Sequence, residues 1–215
     1  MADLSLLSDP FNMIITGVGG QGNVIASRII ATMMVRKGFF VTIGETFGAS
    51  QRGGSVMSHL RISKISNWSP QIPKGRAHMV IALEPLEGVR VLKDYGNPEV
   101  KLLSNTRKIN PVAVICGEAR YPSHEEIGDL ANKFTSKSWF FHATDEAVRL
   151  GNPILGNIIM LGALSETGVL PMETKVFEEV IQVSLPKDKV ELNLKAYEIG
   201  REMMRNNLVE GGKNE

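Results

Sequence analysis

A chain of 215 residues, 43% hydrophobic and 22% charged, is long enough to bury one sizeable core and too apolar to remain disordered. Its formal net charge of +1, with lysine and arginine scattered, gives no basic footprint and predicts neither nucleic acid nor a membrane surface as partner. The single cysteine, Cys116, excludes an intrachain disulfide and any four-cysteine iron–sulfur or zinc site made by this chain alone. No signal-like start and no apolar run of about 18 residues are present, so the expected setting is cytoplasmic.

Met13 to Thr16 reads as a short apolar strand that enters the turn Gly17-x-Gly19-x-x-Gly22. Val24, Ile25, Ile29, Ile30, Met33 and Met34 then recur at helical spacing. Gly38 ends that helix and "FFVTI" supplies a second strand, so residues 12 to 43 predict a β-α-β crossover, the unit that builds parallel sheets. "SVMSHLRIS", 55 to 63, alternates as a strand, with Val56, Ser58, Leu60 and Ile62 on one side and Met57, His59 and Arg61 on a wetter one. "HMVIAL" is a further strand, after which Glu84-Pro85-x-Glu87 favours a helix start, with the two acids as caps rather than an acid/base pair.

"VKLLSN" and "VAVICG" read as buried strands, the second making Cys116 a buried small apolar residue. "SHEEIGDLANKF" and "DEAVRL" read as helices flanking the strand "WFFHA", with Ser123 and Glu126 at capping-box spacing. From Asn152 onward the pattern is helical throughout. The expectation is an α/β fold: a three-layer, mainly parallel Rossmann-like sheet with a helical C-terminal third. It forms one domain over residues 1–205, and 206–215 is a flexible tail.

The glycine turn carries the first chemical signal. Glycines between a strand end and a helix start let an anionic phosphate approach unpaired backbone N–H groups. Glu45, 23 residues past Gly22, stands where a ribose-binding acid would sit in an NAD site, so an independent NAD-binding oxidoreductase is one reading. A tight turn with no ligand is the plain alternative. A second glycine-rich loop, "GETFGASQRGGSV", sets Gln51 and Arg52 before Gly53-Gly54, where the arginine could offer its donor fork to a phosphate or simply be solvated. Asn157 and Asn193 lie on otherwise apolar helical stretches and need partners if buried. His59, His78, His124 and His142 show no metal-ligand spacing, and no metal site is predicted.

Taken together, "GVGGQGNVIAS", "ETFGASQRGGSVMSHLRIS", "ALEPLEGVR" and "GNIIMLGAL" resemble, in order and spacing, the gamma subunit of the 2-oxoacid:ferredoxin oxidoreductases. Among these the chain is most similar to the small beta subunit of indolepyruvate ferredoxin oxidoreductase. The resemblance implies a multi-subunit enzyme that decarboxylates a 2-oxo acid oxidatively to an acyl-coenzyme A. Thiamine diphosphate, magnesium and iron–sulfur clusters would lie on larger partner subunits, and ferredoxin would accept the electrons. It also implies that this chain helps bind coenzyme A and is inactive alone, with no catalytic residue of its own. Mapped residue by residue, the coenzyme contacts fall on Gly20, Gln21, Gly22, Asn23, Val24, Gln51, Arg52, Asn157 and Asn193. The pyruvate branch has Ser-Asp-Gly-Thr where this chain has Gly-Gln-Gly-Asn, and lysines where it has Gln51 and Arg52. A purely structural docking subunit is the remaining alternative.

Overall fold

The computed structural model of the chain describes residues 6–48 and 54–211. The elements run β1 (Phe11–Val18), α1 (Asn23–Arg36), β2 (Phe40–Phe47), β3 (Ser55–Ser63), β4 (Met79–Ala82), α2 (Pro85–Tyr95), β5 (Lys101–Asn105) and α3 (Val112–Ile115). They continue with α4 (His124–Phe134), β6 (Lys137–Phe141), α5 (Ala143–Arg149), a 3-10 turn (Pro153–Leu155), α6 (Gly156–Glu166), α7 (Thr174–Ser184) and α8 (Lys187–Gly211). The last helix thus enters the segment expected to fray.

The strands form one sheet in the order β2-β3-β1-β4-β5-β6. β1, β4, β5 and β6 are mutually parallel, as expected, and end on one edge. The first crossover forms, with β2 running parallel to β1, but β2 does not lie beside β1. β3 returns antiparallel to β2 and takes the place between them, pairing antiparallel with β1 from Phe11 opposite Ile62 to Val18 opposite Ser55. The sheet is therefore mixed, with α1 spanning two strand widths.

β1 is buried along its whole length because helices cover both faces. Its alternation divides the core: Met13 and Ile15 join the α1, α6, α7 and α8 side, while Ile14 joins Val80, Leu102, Val91 and Ala131 on the α2 and α4 side. The three-layer expectation holds. The capping box at Ser123 and Glu126 forms as predicted, and the Glu84 side chain accepts from Glu87 N–H at the start of α2.

Two local expectations fail. The face of β3 expected to be wetter is buried, with His59 and Arg61 at 2% and 8% exposure. The 66–78 excursion closes over it: Arg61 donates to the Ser69 carbonyl and to Asn12 Oδ1, both at 3.1 Å, and His59 Nδ1 accepts from Ile72 N–H at 3.4 Å. "VAVICG" forms the short helix α3 rather than a buried strand; Val112 and Ile115 are more than 70% exposed, and Cys116 is exposed too. Among the described residues no helix is long and apolar enough to cross a membrane.

Candidate functional site

A cavity of about 700 Å³ opens at the edge where β1, β4, β5 and β6 end. In open α/β sheets this edge is where ligands collect, because loops diverge there and helix starts point inward. Its floor is a chain of amide contacts crossing the strand ends in spatial order. Gln21 accepts from Val18 N–H at 2.7 Å and donates to the Leu83 carbonyl at 2.8 Å, tying the end of β1 to that of β4. Asn105 donates to the same carbonyl at 3.1 Å and to Thr144 Oγ1 at 2.8 Å, extending the tie to β5 and the start of α5.

Above this floor the glycine turn opens α1. Gly22 is the N-cap, at φ 86°, and no side chain caps the helix. The first N–H groups of α1 therefore lack intrahelical partners, a fixed cluster of partial positive charge. Asn157, at the start of α6, donates to the Gly22 carbonyl at 3.3 Å. A side chain at position 22 would be strained by the left-handed backbone and would displace the Asn157 amide, because its Cβ would lie 2.1 Å from Asn157 Nδ2. The amide on an apolar helix is explained by this contact between the turn and α6.

The structure brings Gly20, Gln21 and Asn157 to the cavity wall, with Gly22 bonded directly behind Asn157. Asn23 is turned inward: it is 3% exposed, donates to the Val56 carbonyl at 3.4 Å, and its Oδ1 has no hydrogen-bond partner. Val24 is half-buried in the first turn of α1. Asn193 is not part of this wall; its amide donates to the Lys189 carbonyl one turn back in α8, at 2.8 Å. Gln51 and Arg52 lie outside the described residues, but the flanking glycines are placed: Gly48 N–H donates to the Ser55 carbonyl, and Gly19 N–H donates to the Gly54 carbonyl. The second loop therefore springs from beside the turn. Glu45 does not approach it, since β3 stands between β2 and β1 and sets the two strands roughly 10 Å apart.

Asn105, Thr144, Asn152, Arg107 and Lys108 also line the cavity and were missed from sequence. They become neighbours only through the strand order. The available signal was a polar residue ending the strand "VKLLSN", followed by the basic pair. Asp145 lies on the same wall, 3.6 Å from His142 Nδ1, and His142 also contacts Thr106 Oγ1 at 2.8 Å.

Residues 12–203 match the family model described as pyruvate ferredoxin/flavodoxin oxidoreductase. The chain is similar to indolepyruvate oxidoreductase subunit IorB of Pyrococcus horikoshii, 36% identical over 191 residues that cover 88% of this chain and 94% of that one. The IorB subunit of Archaeoglobus fulgidus is 38% identical over 189 residues, 88% of this chain and 92% of that one. Pyruvate oxidoreductase subunit PORC from Thermotoga maritima shares the fold with a TM-score of 0.67 at 21% identity, covering 91% of this chain and 97% of that one. A chain of 2-oxoglutarate:ferredoxin oxidoreductase from Magnetococcus marinus, solved with 2-oxoglutarate, coenzyme A and succinyl-CoA bound, contains the fold at a TM-score of 0.70 and 18% identity. The match covers 93% of this chain and 32% of that one. The family match runs from the first strand into the last helix and takes in every element that builds the crevice; the chain belongs to the pyruvate ferredoxin/flavodoxin oxidoreductase family.

Proposed function

We propose that this chain is the small subunit of a 2-oxoacid:ferredoxin oxidoreductase of the indolepyruvate type, and that its crevice holds the phosphate-bearing part of coenzyme A. The observation that carries the reading is that Gly20 and Gln21, in the turn that leads into the uncapped helix α1, line one polar-floored cavity together with Asn157, which bonds the Gly22 carbonyl. Backbone N–H groups aimed from a helix start suit a diphosphate, and a preformed turn lowers the ordering cost of binding it. Gln21 shapes the turn, because both ends of its amide are engaged by backbone groups. Gln51 and Arg52 are proposed as further phosphate contacts from the loop rooted beside the turn, and Asn193 as a contact is not supported by its place on α8.

With one cysteine the chain has no ligand set for a four-cysteine cluster, and no group of three or more metal-ligating side chains occurs among the described residues. On the family membership of the chain, we assign thiamine diphosphate, which supplies the carbanion chemistry of decarboxylation, and the iron–sulfur clusters that carry electrons to ferredoxin to partner subunits. This chain would orient the coenzyme so that its thiol reaches the partner's acyl group, a positioning role. The separation of Glu45 from the turn argues against the NAD reading.

Titration calorimetry of the assembled complex with coenzyme A tests the site. Asn157→Ala should weaken binding by about tenfold or more, the effect of losing a hydrogen bond to a charged group. Unchanged affinity in a variant complex that still assembles would favour a docking subunit that touches no ligand.

A further inference from the structure

Asn105, Arg107, Lys108 and Ile109 line the crevice at the start of a segment that runs on to Tyr121, and two of them are cations with no role yet assigned. Arg107 and Lys108 both line the cavity and both are exposed. Neither forms an ion pair among the described residues.

Their placement is built from a buried carboxylate. Glu84 follows β4 and is 1% exposed. One of its oxygens caps α2 through Glu87 N–H at 2.9 Å; the other accepts from Ile109 N–H at 3.2 Å and from the Tyr121 hydroxyl. Glu84 thus grips the segment at two points, directly after Lys108 and at its far end. The Tyr121 ring in turn underlies Lys108, whose ammonium stands 5.9 Å from the ring centroid. Burial, and then the bond to Glu84, push the Tyr121 phenol up, so it remains a donor at any working pH. Asp145, beside His142, is a carboxylate that lines the same crevice. The Glu84 charge is already met by three donors.

Coenzyme A presents two separated anionic groups, a diphosphate and a ribose 3′-phosphate. The unpaired N–H groups of a helix start are confined to its first turn and serve one such group. A guanidinium fork beside an ammonium suits the other, a terminal phosphate with several free oxygens. Resting on the coenzyme A reading of the crevice, we propose that Arg107 and Lys108 recognise the ribose 3′-phosphate, with Glu84 and Tyr121 as positioning residues. The pair would make this subunit discriminate coenzyme A from dephospho-coenzyme A.

The test uses the assembled enzyme, with coenzyme A and dephospho-coenzyme A as the two probes, in calorimetry and in steady-state assays. The double variant Arg107→Ala/Lys108→Ala should raise Kd and KM for coenzyme A about tenfold or more, leave kcat unchanged, and shift dephospho-coenzyme A by less than about twofold. Tyr121→Phe, which keeps the ring under Lys108 and removes its bond to Glu84, should move the ratio of the two affinities in the same direction by less. Equal weakening of both probes, or no change in either, overturns the proposal. If Asn157→Ala weakens coenzyme A while the double variant is indifferent, the 3′-phosphate assignment fails alone; if neither variant matters, the site reading fails with it.

Discussion

The Leu83 carbonyl accepts from two side-chain amides, Gln21 and Asn105, so a single peptide plane registers three strand ends beneath the candidate site. Removing one of them leaves partly buried backbone groups without partners. Gln21→Ala is expected to destabilise the chain by about 1–3 kcal/mol in urea unfolding, because the Val18 N–H loses its acceptor. Gly22→Ala combines a left-handed backbone, worth about 1–2 kcal/mol against any L side chain, with the clash against Asn157. Its unfolding midpoint should fall further than that of Gly20→Ala, where φ is 105° but the Cβ would meet nothing within 4 Å. At this scale the glycine turn was legible because its spacing is local. Asn105, Thr144 and Arg107 were not, because nothing within "VKLLSNTRK" says that its end will lie beside Gln21.

Elements follow the same division between local and non-local causes. The capping box of α4 and the Glu84 cap were readable because both are contacts over three residues. The helix α3 was misread because a four-residue apolar run fits a buried strand or a helical turn equally well, and only the space available decides. The insertion of β3 beside β1 was invisible for a related reason: alternation fixes which side chains share a face, not which strand pairs with which. The pairing of α6 with α8 rests on two backbone approaches. A Cβ on Gly162 would lie 1.9 Å from the Tyr197 carbonyl oxygen, and one on Gly200 would lie 1.8 Å from that of Ile159. Gly162→Ala and Gly200→Ala should each cost about 1–3 kcal/mol through overpacking, read as a lower unfolding midpoint. Because α6 carries Asn157, Gly162→Ala should also weaken coenzyme A binding without altering a ligand contact.

For the whole molecule, pH reports how the 66–78 excursion is held to the sheet. His59 Nδ1 accepts from Ile72 N–H, and His78 Nδ1 accepts from Asn12 N–H at 2.8 Å, so each ring is needed neutral. Burial lowers the pKa of both below the ordinary 6.5, with Arg76 adding to the effect at His78. The unfolded state then binds protons that the folded state refuses. Stability is fully present above about pH 6.5 and declines as pH falls through the lower folded values. The Tm of the wild type should drop on acidification from pH 7 to pH 5, and the slope should flatten in His59→Gln. Equal slopes would remove His59 from the account.

The central claim, that this subunit's crevice takes the coenzyme, is tested most directly by hydrogen–deuterium exchange of the assembled complex with and without coenzyme A. Slowed exchange is predicted over residues 17–24, 105–109 and 152–157, with little change over the 66–78 excursion on the opposite edge of the sheet. Exchange over those three segments that is slowed by the partner subunit alone, and indifferent to coenzyme A, would contradict it.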